Sequence, residues 1–180
     1  MKRKMILTTI FLLIGFAICL PVFIVTNNGV LEVLAITIGI TLYHFAMRLA
    51  VGEIINAVMK NKLEHIGVWF RERRFEKKLY KFLRVRRWKK YVPTYSPETF
   101  DASTKTVKEL IGATCQAEIV HEVIMAFSLL PIVLIPFLGG AIAIIITSVL
   151  SALIDCIFVI LQRYNRPKLL KIMERFDKLK

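Results

Sequence analysis

MILTTIFLLIGFAICLPVFIV, residues 5–25, runs for 21 residues without a charged side chain. At roughly 1.5 Å of helical rise per residue it covers a hydrocarbon core of about 30 Å, so it reads as a spanning helix. A secretory signal after Lys2, Arg3 and Lys4 would have a shorter apolar run and a small-residue cleavage site; Thr26, Asn27, Asn28 and Gly29 follow instead, as a turn. Residues 30–47 are apolar again, with Glu32 near the outer end, and the two runs make a helical hairpin. A third apolar block, residues 119–161, is interrupted by Pro131, Pro136, Gly139 and Gly140 and carries Asp155 as its only charge after Glu122. It reads as a second hairpin turning at the Gly-Gly pair. The prolines shorten or kink its first arm and leave a re-entrant pair of half-helices as the alternative.

Working outward, 56% of the 180 residues are hydrophobic, and the mean hydropathy is +0.60. Yet 26 Lys and Arg stand against 13 Asp and Glu, a formal charge of +13. Such a chain is neither a secreted disulfide scaffold, a disordered tail, a collagen-like repeat nor a porin-type barrel, whose strands alternate. Cys19, Cys115 and Cys156 are too scattered for a disulfide framework or a CxxC metal site and read as reduced thiols.

The basic residues decide the topology. Three lie before the first span, 16 between Arg48 and Glu122, and seven from Arg163 onward, leaving none for either outer turn. Since short loops kept in the cytoplasm are enriched in Lys and Arg, the expected fold is all-α: a polytopic membrane helical bundle of four spans, both termini inside. Residues 1–48 form the N-terminal hairpin, 49–118 an interfacial basic belt, 119–161 the C-terminal hairpin and 162–180 a basic tail. The expected location is the cell membrane, multi-pass, with the bulk of the loops cytoplasmic.

The belt has too few apolar positions for its own core and should lie against the bilayer. Residues 49–62 read as an interfacial helix, and 63–90 as a longer one with Phe75, Leu79, Phe82 and Leu83 on one stripe. Residues 60–90 hold 13 basic and three acidic side chains, which suits anionic headgroups. Trp69, Phe70 and Trp88 could stack on bases, but no RNA or DNA motif accompanies them, so no nucleic-acid partner is expected. Pro93 and Pro97 then hold a non-helical loop, ordered if the Tyr91, Tyr95 and Phe100 rings pack, with Ser96 and Thr99 as caps or turn residues. A helix restarts near Ser103 or Thr104.

The polar groups suited to chemistry cluster at span ends. In TCQAEIVHEVIM, residues 114–125, Glu118 stands one helical turn from both His121 and Glu122. A carboxylate beside an imidazole favours its protonated form and fixes its orientation, as a general acid or base requires. The bland alternative is an interfacial cluster at a helix entry. A di-metal carboxylate site would need a second E-x-x-H and further carboxylates, and no second copy exists, so no metal is expected. His44 and Arg48 lie at the inner end of the second span, followed by Glu53 and Asn56, and Gln162, Arg163, Asn165 and Arg166 lie where the fourth span ends. Asp155, about two turns inside, needs His44, Arg48 or Arg163 as its partner. The span centres are otherwise nearly free of charge, unlike a transporter with midplane binding groups. The pattern implies a lipid-facing site on the cytoplasmic leaflet.

RVRRWKKYVPTY (residues 84–95), CQAEIVHE (115–122) and LQRYNRPKL (161–169), in this order and between short hairpins, resemble the glycosyl-4,4'-diaponeurosporenoate acyltransferase family of small bacterial membrane proteins. The resemblance covers roughly residues 43–170. It implies transfer of a fatty acyl group to a sugar hydroxyl of a membrane glycolipid, the characteristic example being the last step of a carotenoid pigment. On that reading His121, oriented by Glu118 or Glu122, deprotonates the acceptor hydroxyl, which attacks an acyl thioester. Arg163, Arg166, Trp88 and Lys89 would hold donor phosphates or the acceptor headgroup, and His44, Arg48, Gln162 and Asn165 would complete the substrate site. The donor would be acyl-CoA or acyl carrier protein, with no tightly bound cofactor, and the partners would be anionic headgroups and the glycolipid acceptor. Cys115 as an acyl-carrying nucleophile is a lesser variant. The rival from another class is a non-enzymatic lipid-binding or assembly protein.

Overall fold

The computed structural model describes residues 2–60, 67–93 and 97–178. Every regular element among them is helical, and four segments are long and apolar enough to cross a membrane: Lys2–Thr26, Gly29–Met59, Val107–Leu138 and Ala141–Asp177. The protein is an all-α membrane protein. Its chain forms two compact units, one of Lys2–Glu53 with Val123–Asp155, the other chiefly of Ile54–Glu122 with Cys156–Lys180.

In the first unit, α1 (Lys2–Thr26) buries only Cys19 and leaves Phe11 and Val25 outward, as a helix solvated by lipid can. Asn27 takes a left-handed φ of 47°. The Asn28 side-chain oxygen then accepts from the Val30 and Leu31 amides at 2.8 and 3.4 Å, capping α2 (Gly29–Met59). A Cβ on Gly39 would sit 2.8 Å from the Phe16 ring, so any larger residue there would push that ring aside where α1 and α2 approach closely. Further on, α5 (Val107–Ser128) gives way to a 3-10 turn over Leu130–Leu134 and to the single turn α6 (Ile135–Leu138). Pro131 and Pro136 account for the break. Gly139 and Gly140 follow at φ 66° and 58°, the turn expected from sequence, and lead into α7 (Ala141–Asp177).

A polar seam lies inside this unit. Arg48 reaches Asp155 Oδ2 at 2.5 Å and Ser151 Oγ at 2.8 Å, while Ser151 also meets Ser128 at 2.8 Å and His44 Nδ1 at 3.2 Å. Asp155 is 1% exposed. An isolated carboxylate there would be costly, and Arg48 is its ion-pair partner.

In the second unit α2 runs unbroken to Met59, which corrects the expectation of a separate interfacial helix starting at residue 49; residues 61–66 lie outside the described part. The long helix expected over 63–90 is also corrected. The chain makes a 3-10 turn at Val68–Phe70, α3 (Arg74–Phe82), α4 (Val85–Trp88) and another 3-10 turn at Lys89–Tyr91. Arg84, left-handed at φ 50° and ψ 40°, separates α3 from α4. The inward face of α3 is not the aromatic stripe: Phe75 and Phe82 are exposed, whereas Glu76 and Tyr80 are buried, because Arg163 of α7 takes the Glu76 carboxylate at 2.6 Å.

Before α5, the Asp101 carboxylate accepts from the Ser103 hydroxyl at 2.7 Å and amide at 2.9 Å. Those bonds hold its pKa below the usual carboxylate value. α5 starts at Val107, a few residues later than expected, where Thr106 and Glu109 form a reciprocal capping box: Glu109 accepts from the Thr106 amide at 2.8 Å, and the Thr106 hydroxyl accepts from the Glu109 amide at 3.3 Å. Tyr95 and Ser96 lie outside the described residues.

Candidate functional site

The residues expected to act together divide between the two units. His44 and Arg48 belong to the first, in the seam just described. The second unit contains Glu118, His121 and Glu122 on α5, Gln162, Arg163, Asn165 and Arg166 on α7, and Trp88 and Lys89.

Glu118 is the centre of the second unit. It is 0% exposed, and its two oxygens take different arginines, Oε1 facing Arg163 and Oε2 facing Arg166. Arg163 also grips Glu76 through Nε at 2.9 Å and Nη2 at 2.6 Å, and donates to the carbonyls of Trp69 and Arg71 at 3.1 Å each. All five of its N–H groups are therefore engaged. Arg166, 1% exposed, donates to the Thr114 hydroxyl at 3.2 Å, the Thr114 carbonyl at 3.1 Å and the Phe70 carbonyl at 3.2 Å, and its guanidinium lies 5.0 Å from the Phe70 ring centre. Two cations balance two buried carboxylates, the condition under which buried ions are tolerated. The arginines also satisfy three carbonyls of the irregular segment before α3, which has no helical donors to offer them.

His121 lies one helical turn along α5 from Glu118. The imidazole is half-buried and stacked on Phe158 of α7, ring centres 4.5 Å apart and planes 9° from parallel. Next to it in sequence, Glu122 accepts the Trp69 indole N–H at 3.0 Å. Tyr80 donates to Glu76 at 2.8 Å; burial first, and then that bond, raise its pKa above the ordinary tyrosine value. Cys115 is 0% exposed.

Of the expected substrate contacts, Lys89 and Asn165 meet at 3.4 Å, the Trp88 indole N–H donates to the Leu83 carbonyl at 2.9 Å, and Gln162 is buried. Sequence reasoning passed over Glu76, Thr114 and Phe158. Only Glu76 left a signal, as one of three acids among 13 bases in residues 60–90. Thr114 and Phe158 work through a hydroxyl bond and a ring plane that spacing does not encode. Among the described residues, no three His, Cys, Asp or Glu side chains gather as metal ligands.

A family model described as glycosyl-4,4'-diaponeurosporenoate acyltransferase matches residues 67–175. The chain belongs to this family. Searches of curated proteins and of solved structures return no match. The region matched to the acyltransferase family contains the whole Glu118 lattice, His121, Phe158 and the segment from Trp69 through α4, while His44 and Arg48 precede it. Membership points to an acyltransferase that works in a membrane.

Proposed function

We propose that the protein moves a fatty acyl group from a thioester donor to a hydroxyl of a membrane glycolipid at the cytoplasmic leaflet, with His121 as general base. The observation that carries this reading is the half-buried imidazole held flat on Phe158 beside a charge-balanced lattice, inside the region that matches the acyltransferase family. His121 takes the proton from the acceptor hydroxyl as its oxygen attacks the thioester carbonyl. The C–O ester bond forms, the C–S bond breaks, and the departing thiolate takes the proton back from the imidazolium, releasing a thiol. Glu118 is a positioning residue, locking α5 one turn before His121. Glu122 sets the local field, and Lys89 with Asn165 offers polar contacts for a headgroup. The asymmetry of Lys and Arg supports the cytoplasmic side.

A correctly positioned base is worth about 10² to 10⁴ in rate. The test is single-turnover acyl transfer by purified protein in lipid nanodiscs, comparing wild type with His121→Ala at equal folded fraction. A loss within that range supports the assignment, and an unchanged rate removes His121 from the mechanism.

A further inference from the structure

Where α3 and α4 face the C-terminal part of α7, the second unit has an open groove of about 500 Å³, within the range of small-ligand sites. Lys77, Lys81, Arg84, Arg86 and Arg87 line one wall, and Lys168 and Lys171 line the other. Among the described residues, the only carboxylate in the lining is Glu72, already 3.6 Å from Lys77. Among the described residues, Lys81, Arg84, Arg86, Arg87 and Lys171 form no ion pair, while Arg163, a short distance along α7, has every donor engaged by the protein itself. The arginines that looked suited to phosphate from sequence thus brace the fold, and a separate set of cations stands unneutralised around a concavity.

The backbone that carries this set is held in place. The left-handed Arg84 fixes the corner between α3 and α4, Val85 is 0% exposed, and the Trp88 indole closes back onto Leu83. Tyr80, anchored through Glu76 to Arg163, meets Tyr164 edge-on at 5.3 Å, and Lys168 Nζ lies 3.3 Å from the Tyr164 ring centre. Like charges crowded around one concavity repel one another, and an anion with several oxygens relieves that repulsion. Guanidinium forks pair bidentately with such oxygens.

We propose that this groove is a phosphoester-binding site, taking either the nucleotide phosphates of a coenzyme A thioester or anionic phospholipid headgroups. Only the first source rests on the acyl-transfer reading. The test uses the full-length protein in phosphatidylcholine nanodiscs, titrated with adenosine 3',5'-bisphosphate and, as control, adenosine. Binding of the bisphosphate alone, weakening with salt, and about tenfold weaker in Arg86→Gln/Arg87→Gln but not in Arg73→Gln/Arg74→Gln, supports the nucleotide source. If the bisphosphate does not bind, but phosphatidylglycerol nanodiscs raise the Tm of wild type more than that of the Arg86→Gln/Arg87→Gln protein, the source is the headgroup. Neither bisphosphate binding nor a lipid-dependent Tm in wild type overturns the proposal, whatever the variants do. Arg86→Lys/Arg87→Lys, which keeps the charge, should restore part of the affinity. Binding is read without turnover, so a chain that binds the bisphosphate but transfers no acyl group would leave the groove standing and sink the proposed reaction.

Discussion

Replacing Glu118 by Gln probes the lattice where the structure makes its sharpest energetic statement. The substitution keeps the shape and removes one charge from a position that is 0% exposed. Arg163 retains Glu76 and two carbonyls, so its charge stays compensated. Arg166, 1% exposed, has Glu118 as its only carboxylate among the described residues and is left as a buried cation. Removing one partner of a buried pair costs about 3 to 5 kcal/mol, roughly two to three and a half powers of ten in the folding equilibrium. One orphaned charge, not two, is the basis for that range. Unfolding by SDS in mixed micelles, followed by circular dichroism and by Trp69 and Trp88 fluorescence, measures it. Glu118→Leu combined with Arg166→Met leaves no charge unpaired and should cost less than the two single losses added together. A Glu118→Gln protein that loses under about 1 kcal/mol would refute the view of this pair as a buried, mutually dependent contact.

Other consequences are smaller. Arg48→Met removes the ion pair to Asp155, whose side chain is 2% exposed, and should lower stability in the same assay by up to about 3 kcal/mol. Tyr80→Phe removes a hydrogen bond to a carboxylate, worth about 1.5 to 3 kcal/mol. Because burial first, and then that bond, raise the Tyr80 pKa in the folded state, the stability Tyr80 confers is complete below the free tyrosine value of about 10 and is lost progressively as the pH rises above it. The stability gap between wild type and Tyr80→Phe should therefore narrow as the pH rises above about 10. Thr106→Ala breaks the capping box at a cost of about 1 kcal/mol, visible as faster amide exchange in the first turn of α5.

The spans were legible because lipid imposes one strong rule, an apolar run of membrane length, and the turns were legible because Asn27–Asn28 and Gly139–Gly140 are residue types that tolerate left-handed backbone. The belt was not. Periodicity favoured the Phe75 and Phe82 face, yet α3 turns Glu76 and Tyr80 inward, since satisfying Arg163 outweighs burying aromatic rings that lipid can also solvate. At the site, the E-x-x-H spacing located Glu118 and His121 on one helix. It could not reveal that Glu118 answers to two arginines from α7, because long-range ion pairs leave no local spacing. The QRYNR string, residues 162–166, stood out in the sequence, and its arginines prove to hold the chain's own carboxylates and carbonyls.

The most direct test of acyl transfer compares the lipids of cells lacking the protein with those of cells complemented by wild type or by His121→Ala, by mass spectrometry. The account predicts that a glycolipid carrying one additional acyl chain is present only with the wild-type protein, and that its unacylated precursor accumulates in the other two. Identical lipid profiles in all three, with the protein folded and inserted, would contradict it.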